Sequence, residues 1–144
     1  MPIKLMAAVA AALFLSVAAG PGAAGEAATR VTAKASRYGK VLFDGRGYSL
    51  YLFAADRGRR STCYGACAAA WPPFLAKGRP IAGLGIKPRL LGTTHRRDGK
   101  RQVTYGGHPL YYYVHDGRGE IKCHNVSEFG GLWLVVRPDG KAVR

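Results

Sequence analysis

The sequence predicts an all-β or β-rich fold: a single small domain of two tandem antiparallel β units with one short helix, behind an N-terminal signal peptide. Three observations predict it. The phrase SLYLFAADRGRRSTC (Ser49 to Cys63) returns as PLYYYVHDGRGEIKC (Pro109 to Cys123) at a constant offset of 60 residues, so Tyr51, Phe53, Asp56 and Cys63 answer to Tyr111, Tyr113, Asp116 and Cys123. Short aromatic and β-branched runs are punctuated by 20 Gly and 8 Pro, the pattern of strands joined by tight turns. An Ala-rich stretch after Cys63 is the one segment with helical character.

Taken in order, residues 1–24 carry one early cation, Lys4, then the apolar run MAAVAAALFLSVAAG and small residues. This is the pattern of a secretory signal peptide. The run is shorter than the roughly 18 residues of a spanning helix, and nothing later in the chain is as apolar, so export without a transmembrane segment in the mature chain is expected. Residues 25–37 are polar, aperiodic and free of aromatic side chains, which reads as a flexible leader. The two-copy domain then spans 38–144, with copies at about 38–76 and 89–141. GKVLFD, the turn DGRG and the returning strand YSLYLFA predict a hairpin. CYGACAAAWPPF predicts a short helix near Tyr64 to Ala70 that Pro72 and Pro73 end. Leu75 to Pro88 reads as loop. RLLGTTH, the turn RDGK, RQVTY, the turn GGHP and LYYYVHD repeat the strand pattern, and LWLVV, PDG and KAVR make a last hairpin.

The repeat has a physical reading. A hairpin too small to bury its own apolar face is stabilised by packing on a second copy. Tyr51 and Phe53, like Tyr111 and Tyr113, stand two apart and share one strand face, while Leu50, Leu52 and Leu110 take the other. The aromatic face is read as core. Asp56 and Asp116 lie three residues past the second aromatic, where each strand ends, and are read as acceptors for turn N–H groups.

The phrases YLFAAD and YYYVHD, with Cys-x-x-x-Cys and WPP in the first copy, VTYGGHPLYYY in the second and the terminal GGLWLVVRPDG, resemble a bacterial secreted repeat family described as predicted lipoproteins with a Yx(F/W/Y)xxD motif. The likeness runs from about Tyr38 to Gly140. It implies an exported envelope protein built of tandem copies, and it implies no catalytic residues. Many members of that family carry a lipid-anchored cysteine directly after the signal peptide. Here the first cysteine is Cys63, so a soluble periplasmic or extracellular form without a lipid anchor is expected.

Charge narrows the partners. Removing residues 1–24 leaves 21 Lys and Arg against 8 Asp and Glu, a formal charge of +13. Such a surface draws anions. Outside the cytoplasm these are envelope components such as lipid head groups and acidic glycans, and no nucleic-acid partner is expected. The clusters RGRR (Arg57 to Arg60) and RRDGKR (Arg96 to Arg101) fall in predicted loops, as an anion-binding rim or as solvated charge. Cys63, Cys67 and Cys123 form an odd set for an oxidising compartment, so one disulfide leaves one thiol and three pairings are open. We read a structural disulfide. The alternative makes Cys63, Cys67, Cys123 and His124 a metal-binding or thiol-redox set, although their spacing matches no standard zinc pattern. No haem-attachment sequence, nucleophile elbow or phosphate loop occurs. The expectation is therefore a non-enzymatic binding or structural module without a cofactor, of unknown molecular activity.

Overall fold

A computed structural model describes residues 28–144; the expected signal peptide, residues 1–24, lies outside them. Strands β1 (Arg30–Ser36) and β2 (Gly39–Asp44) form an antiparallel hairpin in which Val31 faces Asp44 and Ser36 faces Gly39. β2 reads Val-Leu-Phe without alternation because both its faces are covered: Leu42 joins one core cluster and Val41 and Phe43 the other. Asp44 then stops the strand. Its carboxylate accepts the N–H groups of Arg46 and Tyr48, each at 2.9 Å, an Asx-type turn over DGRG.

β3 (Tyr51–Phe53) follows, then α1 (Ala66–Ala70), β4 (Ile81–Ala82) and a 3₁₀ turn (Pro88–Leu90). The second copy contributes β5 (Leu91–His95), β6 (Arg101–Tyr105), β7 (His108–Pro109), β8 (Val126–Glu128) and β9 (Gly131–Val135). Three three-stranded sheets result, in the orders β2-β1-β4, β3-β9-β8 and β5-β6-β7. β6 and β7 are joined through Gly106 and Gly107, with φ of 58° and 81°. A two-residue hairpin turn with both φ positive matches strand twist, and glycine adopts it without strain. At Arg137–Lys141 the PDG turn closes a last short hairpin, with Arg137 N–H on Lys141 O at 2.8 Å, Gly140 N–H on Arg137 O at 2.9 Å and a Val136–Ala142 bridge.

The β-rich class, the short helix and the two leucine and aromatic faces are as the sequence predicts. Three readings are corrected. Residues 30–36 of the expected leader are a strand, because Val31 is fully buried and the segment pairs with β2 on one side and β4 on the other. That strand is the counterpart of β5, 60 residues on. The expected loop from Leu75 to Pro88 contains β4, whose parallel pairing with β1 was invisible in a two-residue apolar run. The long aromatic strands are shorter than predicted: β3 has three residues and Leu110–Val114 forms no ladder. Their backbones change partners at each step instead. Leu50 N–H bonds Leu42 O, Tyr51 exchanges both bonds with Tyr111, Tyr112 N–H bonds Pro72 O and Val114 N–H bonds Ala70 O.

Alternation along these segments splits the interior in two. Leu50, Leu52 and Leu110 pack with Val31, Leu42, Val103, Tyr105 and Val136; Tyr51, Phe53 and Tyr111 pack with Trp71, Trp133 and the first two cysteines. The second cluster is a column of rings. Phe53 stacks on Trp133 at 4.1 Å, Trp133 on Trp71 at 4.1 Å, and Trp71 leans on Tyr113 at 4.7 Å. Tyr51 meets Trp71 edge-on at 5.2 Å and Tyr111 meets Trp133 edge-on at 5.1 Å. Phe53 approaches β9 closely because Gly131 has no side chain: a Cβ there would lie 2.7 Å from the Phe53 ring.

Candidate functional site

The six motif residues meet across the two copies, not within them. Tyr51 Oη donates to Asp116 Oδ2 at 2.5 Å, and Tyr111 Oη donates to Asp56 Oδ2 at 2.7 Å. The other oxygen of each carboxylate accepts a backbone N–H six residues on, from Thr62 to Asp56 at 2.8 Å and from Lys122 to Asp116 at 3.0 Å. With the mutual backbone bonds of Tyr51 and Tyr111 at 2.9 Å, the contacts are reciprocal, as in a two-fold interface. Phe53 and Tyr113 are the outer rings of the aromatic column.

The acid–base groups of this centre are buried and shifted. Burial, followed by the neighbouring carboxylate, holds the Tyr51 and Tyr111 phenols well above their usual range. Burial also raises the Asp56 and Asp116 carboxyls, opposed by the hydrogen bonds they accept. Both phenols keep their protons, and both tyrosines are fully buried.

Two surface clefts flank the centre, and the 60-residue offset exchanges them. One, of about 520 Å³, lies where the loop after Asp56 meets the turn between β5 and β6; it is lined by Arg57, Arg60, Ser61, Thr62, Tyr64, His95, Arg96 and Arg97. The other, of about 500 Å³, lies where the loop after Asp116 meets the turn between β1 and β2, and is lined by Ala35, Ser36, Arg37, Gly119, Glu120, Ile121 and Lys122. Both sequence clusters of arginine therefore meet at the first cleft, whose lining has no carboxylate.

Arg96 builds the floor of that cleft. Only 5% exposed, its guanidinium donates to Ser61 Oγ at 2.9 Å, Gln102 Oε1 at 2.8 Å and Cys63 O at 2.8 Å. Nε finds no hydrogen-bond partner, and Asp98 stands 3.8 Å away. The buried cation is offset by these three hydrogen bonds and by the nearby Asp98 carboxylate. Ser61 Oγ also lies 2.7 Å from Tyr111 Oη, so the Tyr111–Asp56 pair and the cleft floor belong to one network. Arg96 and Arg97 lie 4.3 and 4.0 Å from the Tyr64 ring centroid, and Tyr64 Oη accepts the Arg97 N–H at 3.0 Å. Arg57, Arg60, Arg97 and His95 remain exposed. Tyr64, Ser61 and Thr62 were not singled out from the sequence; their adjacency to RGRR was the available signal.

The opposite cleft carries one ion pair and one further cation. Glu120 bonds Lys122 at 2.9 Å and Arg37 donates to Ile121 O at 3.3 Å. Accepting the Gly117 N–H lowers the Glu120 carboxyl below its usual range, with Lys122 adding to the effect.

Of the candidate ligands, the structure joins Cys63 and Cys67 in a disulfide and leaves Cys123 a half-buried free thiol. Cys123 is the counterpart of Cys63, and its thiol, beside the Tyr113 phenol, pushes that phenol's pKa up to about 12. His124 Nδ1 accepts the Val135 N–H at 3.1 Å, and burial lowers its pKa. Among the described residues no three His, Cys, Asp or Glu side chains are grouped to hold a metal ion.

Residues 32–74 and 92–137 match a family described as a secreted repeat of unknown function. The chain belongs to that family. The two matched repeats begin at equivalent points of β1 and β5, so the family's unit includes the first hairpin strand. Membership accords with an exported protein, and among the described residues no helix is long and apolar enough to cross a membrane. No curated protein and no solved structure matches the chain.

Proposed function

We propose that this secreted-repeat protein is a non-enzymatic envelope module, free in the periplasm or outside the cell without a lipid anchor, that holds an anionic envelope component in the cleft between Arg57, Arg60 and Arg97. The observation that carries the reading is the charge difference between two clefts of like construction: one is lined by four arginines, of which Arg96 pairs with Asp98, and the other by Arg37 with the Lys122–Glu120 pair. Guanidinium groups suit carboxylate and phosphate because their donors are planar and forked. Arg96, fixed from beneath and paired with Asp98, holds the floor of the cleft in place. A binding role is favoured over catalysis because the motif carboxylates are already engaged by buried phenols and backbone amides. The Cys63–Cys67 disulfide suits an oxidising compartment.

Arg60 stands where the second copy has Glu120. Arg60→Glu is expected to weaken binding of polygalacturonate, or of phosphatidylglycerol vesicles, by about tenfold or more at low salt. Stability should stay within about 0.5 kcal/mol, because Arg60 is exposed. Isothermal titration alongside a urea melt reads both. Undiminished binding to whichever probe the wild type takes would refute the site.

A further inference from the structure

The basic cleft does not end at His95. β5 is an edge strand of its sheet, and its outer face carries more cation than the cleft needs. Arg59 lies across it, with Nη2 donating to Thr93 O at 3.1 Å. Gly92 admits this approach: a Cβ there would stand 3.3 Å from Arg59 Nη2. Thr93 and His95 are two apart, and Arg101 is the register partner of His95, so the three share one face of the hairpin. Arg101 Nη2 accordingly donates to Thr93 Oγ1 at 2.9 Å. Beyond Thr93 a second cleft, of about 460 Å³, opens between Arg79, Arg101 and the start of β5. Its lining also lacks a carboxylate.

We infer that the ligand is a linear acidic polysaccharide laid along the edge of β5, with Arg57 and Arg97 holding one stretch, Arg59 the middle, and Arg79 and Arg101 the next. This deepens the anion-binding reading and rests on it. The far cleft is lined by Leu91 to Thr93 and the near one from His95 onward, so along β5 the track runs about 13 Å from Leu91 to His95 at roughly 3.3 Å per residue, a length that a chain of repeating charge covers and one phosphate or carboxylate does not. Two concavities joined by a narrow strand edge suit a chain of repeating charge. A lipid bilayer presents a plane, which would touch the rims of the clefts and leave their arginines short of partners. Arg57, Arg59, Arg79, Arg97 and Arg101 are all exposed, so each is available without unfolding anything.

The test uses the mature protein with digalacturonate and polygalacturonate as probes, and two double variants: Arg57→Ala with Arg97→Ala at the near cleft, and Arg79→Ala with Arg101→Ala at the far one. Circular dichroism melts establish that each variant is folded. For the polymer, each double variant is expected to lose about tenfold in affinity at low salt. For the disaccharide, only the near pair should matter. If the far pair leaves polymer binding unchanged while the near pair abolishes it, the extended track is wrong and the compact anion site stands. If neither pair changes either probe, both readings fail. If phosphatidylglycerol vesicles bind and the polymer does not, the polysaccharide is excluded in favour of a membrane surface.

Discussion

The two clefts are built by equivalent segments and differ in what they carry. On one side the turn between β1 and β2 spans Arg37 and Tyr38; on the other the turn between β5 and β6 runs from Arg96 to Lys100. The longer turn folds back on itself, with Arg96 N–H bonding Lys100 O at 2.8 Å. It places a buried guanidinium where the short turn has Ser36, whose hydroxyl donates to Gly39 O at 2.7 Å and accepts the Tyr38 N–H at 3.0 Å, both within its own turn. Glu120 replaces Arg60, and Cys123 remains free where Cys63 is bonded to Cys67. The difference teaches that duplication supplied the scaffold and that loop residues set the charge. Tyr–Asp exchange, aromatic column and turn amides are common to both halves, so they belong to folding. What separates the halves lies in the loops that follow the shared strands, including the buried Arg96 and the Cys63–Cys67 disulfide.

The comparison breaks most severely at the paired tryptophans. Trp71→Ala and Trp133→Ala each remove a fully buried ring from the shared column and should each cost about 3–5 kcal/mol in a urea melt. The losses should be alike. A difference of more than about 2 kcal/mol would mean that one copy dominates the core.

Next come the exchanged aspartates. Asp56→Ala and Asp116→Ala should each cost about 1–3 kcal/mol, because each leaves turn donors and a buried phenol short of an acceptor. Asn, which keeps an acceptor oxygen, should be milder. The pH dependence has a definite sign. Both carboxyls are raised in the fold, so their protonation contributes stability that is fully present below the unfolded carboxylate pKa and is lost as pH rises through the folded value. The deficit of Asp116→Asn relative to wild type should therefore grow as pH is lowered from neutrality toward about 4. A deficit largest at neutral pH would show that the charged form, not the hydrogen-bond acceptor, matters.

The smallest effect separates the cysteines. Cys63→Ser with Cys67→Ser opens a short loop and should cost about 2 kcal/mol in the chain-entropy account. Cys123→Ser, at the equivalent half-buried position, should stay within about 0.5 kcal/mol. Equal losses would indicate that Cys123 supports the fold as much as the disulfide does.

Local chemistry was legible in the sequence. The turns at DGRG, GGHP and PDG, the helix after Cys63 and the separation of leucine from aromatic faces depend on φ preference and on a period of two, both of which act over a few residues. So does the use of Asp56 and Asp116 as turn acceptors. β1 was missed because RVTAKAS has one strongly apolar anchor, Val31, and its burial comes from β2 and β4; comparison with RLLGTTH at the same offset would have revealed it.

What the sequence by itself determined is a duplicated, exported-type β chain with aromatic strands ended by carboxylates, because each of these is written within a short window. The tertiary structure alone decided the partners. That Tyr51 serves Asp116 and Tyr111 serves Asp56, that Cys63 takes Cys67, and that RGRR meets Arg96 and Arg97 around one cleft, all depend on where distant segments cross. Such pairings hold because buried phenols, sulfurs and guanidinium groups must find partners when water is excluded. Several partners were chemically acceptable for each, and the reciprocal packing of the two copies selected among them.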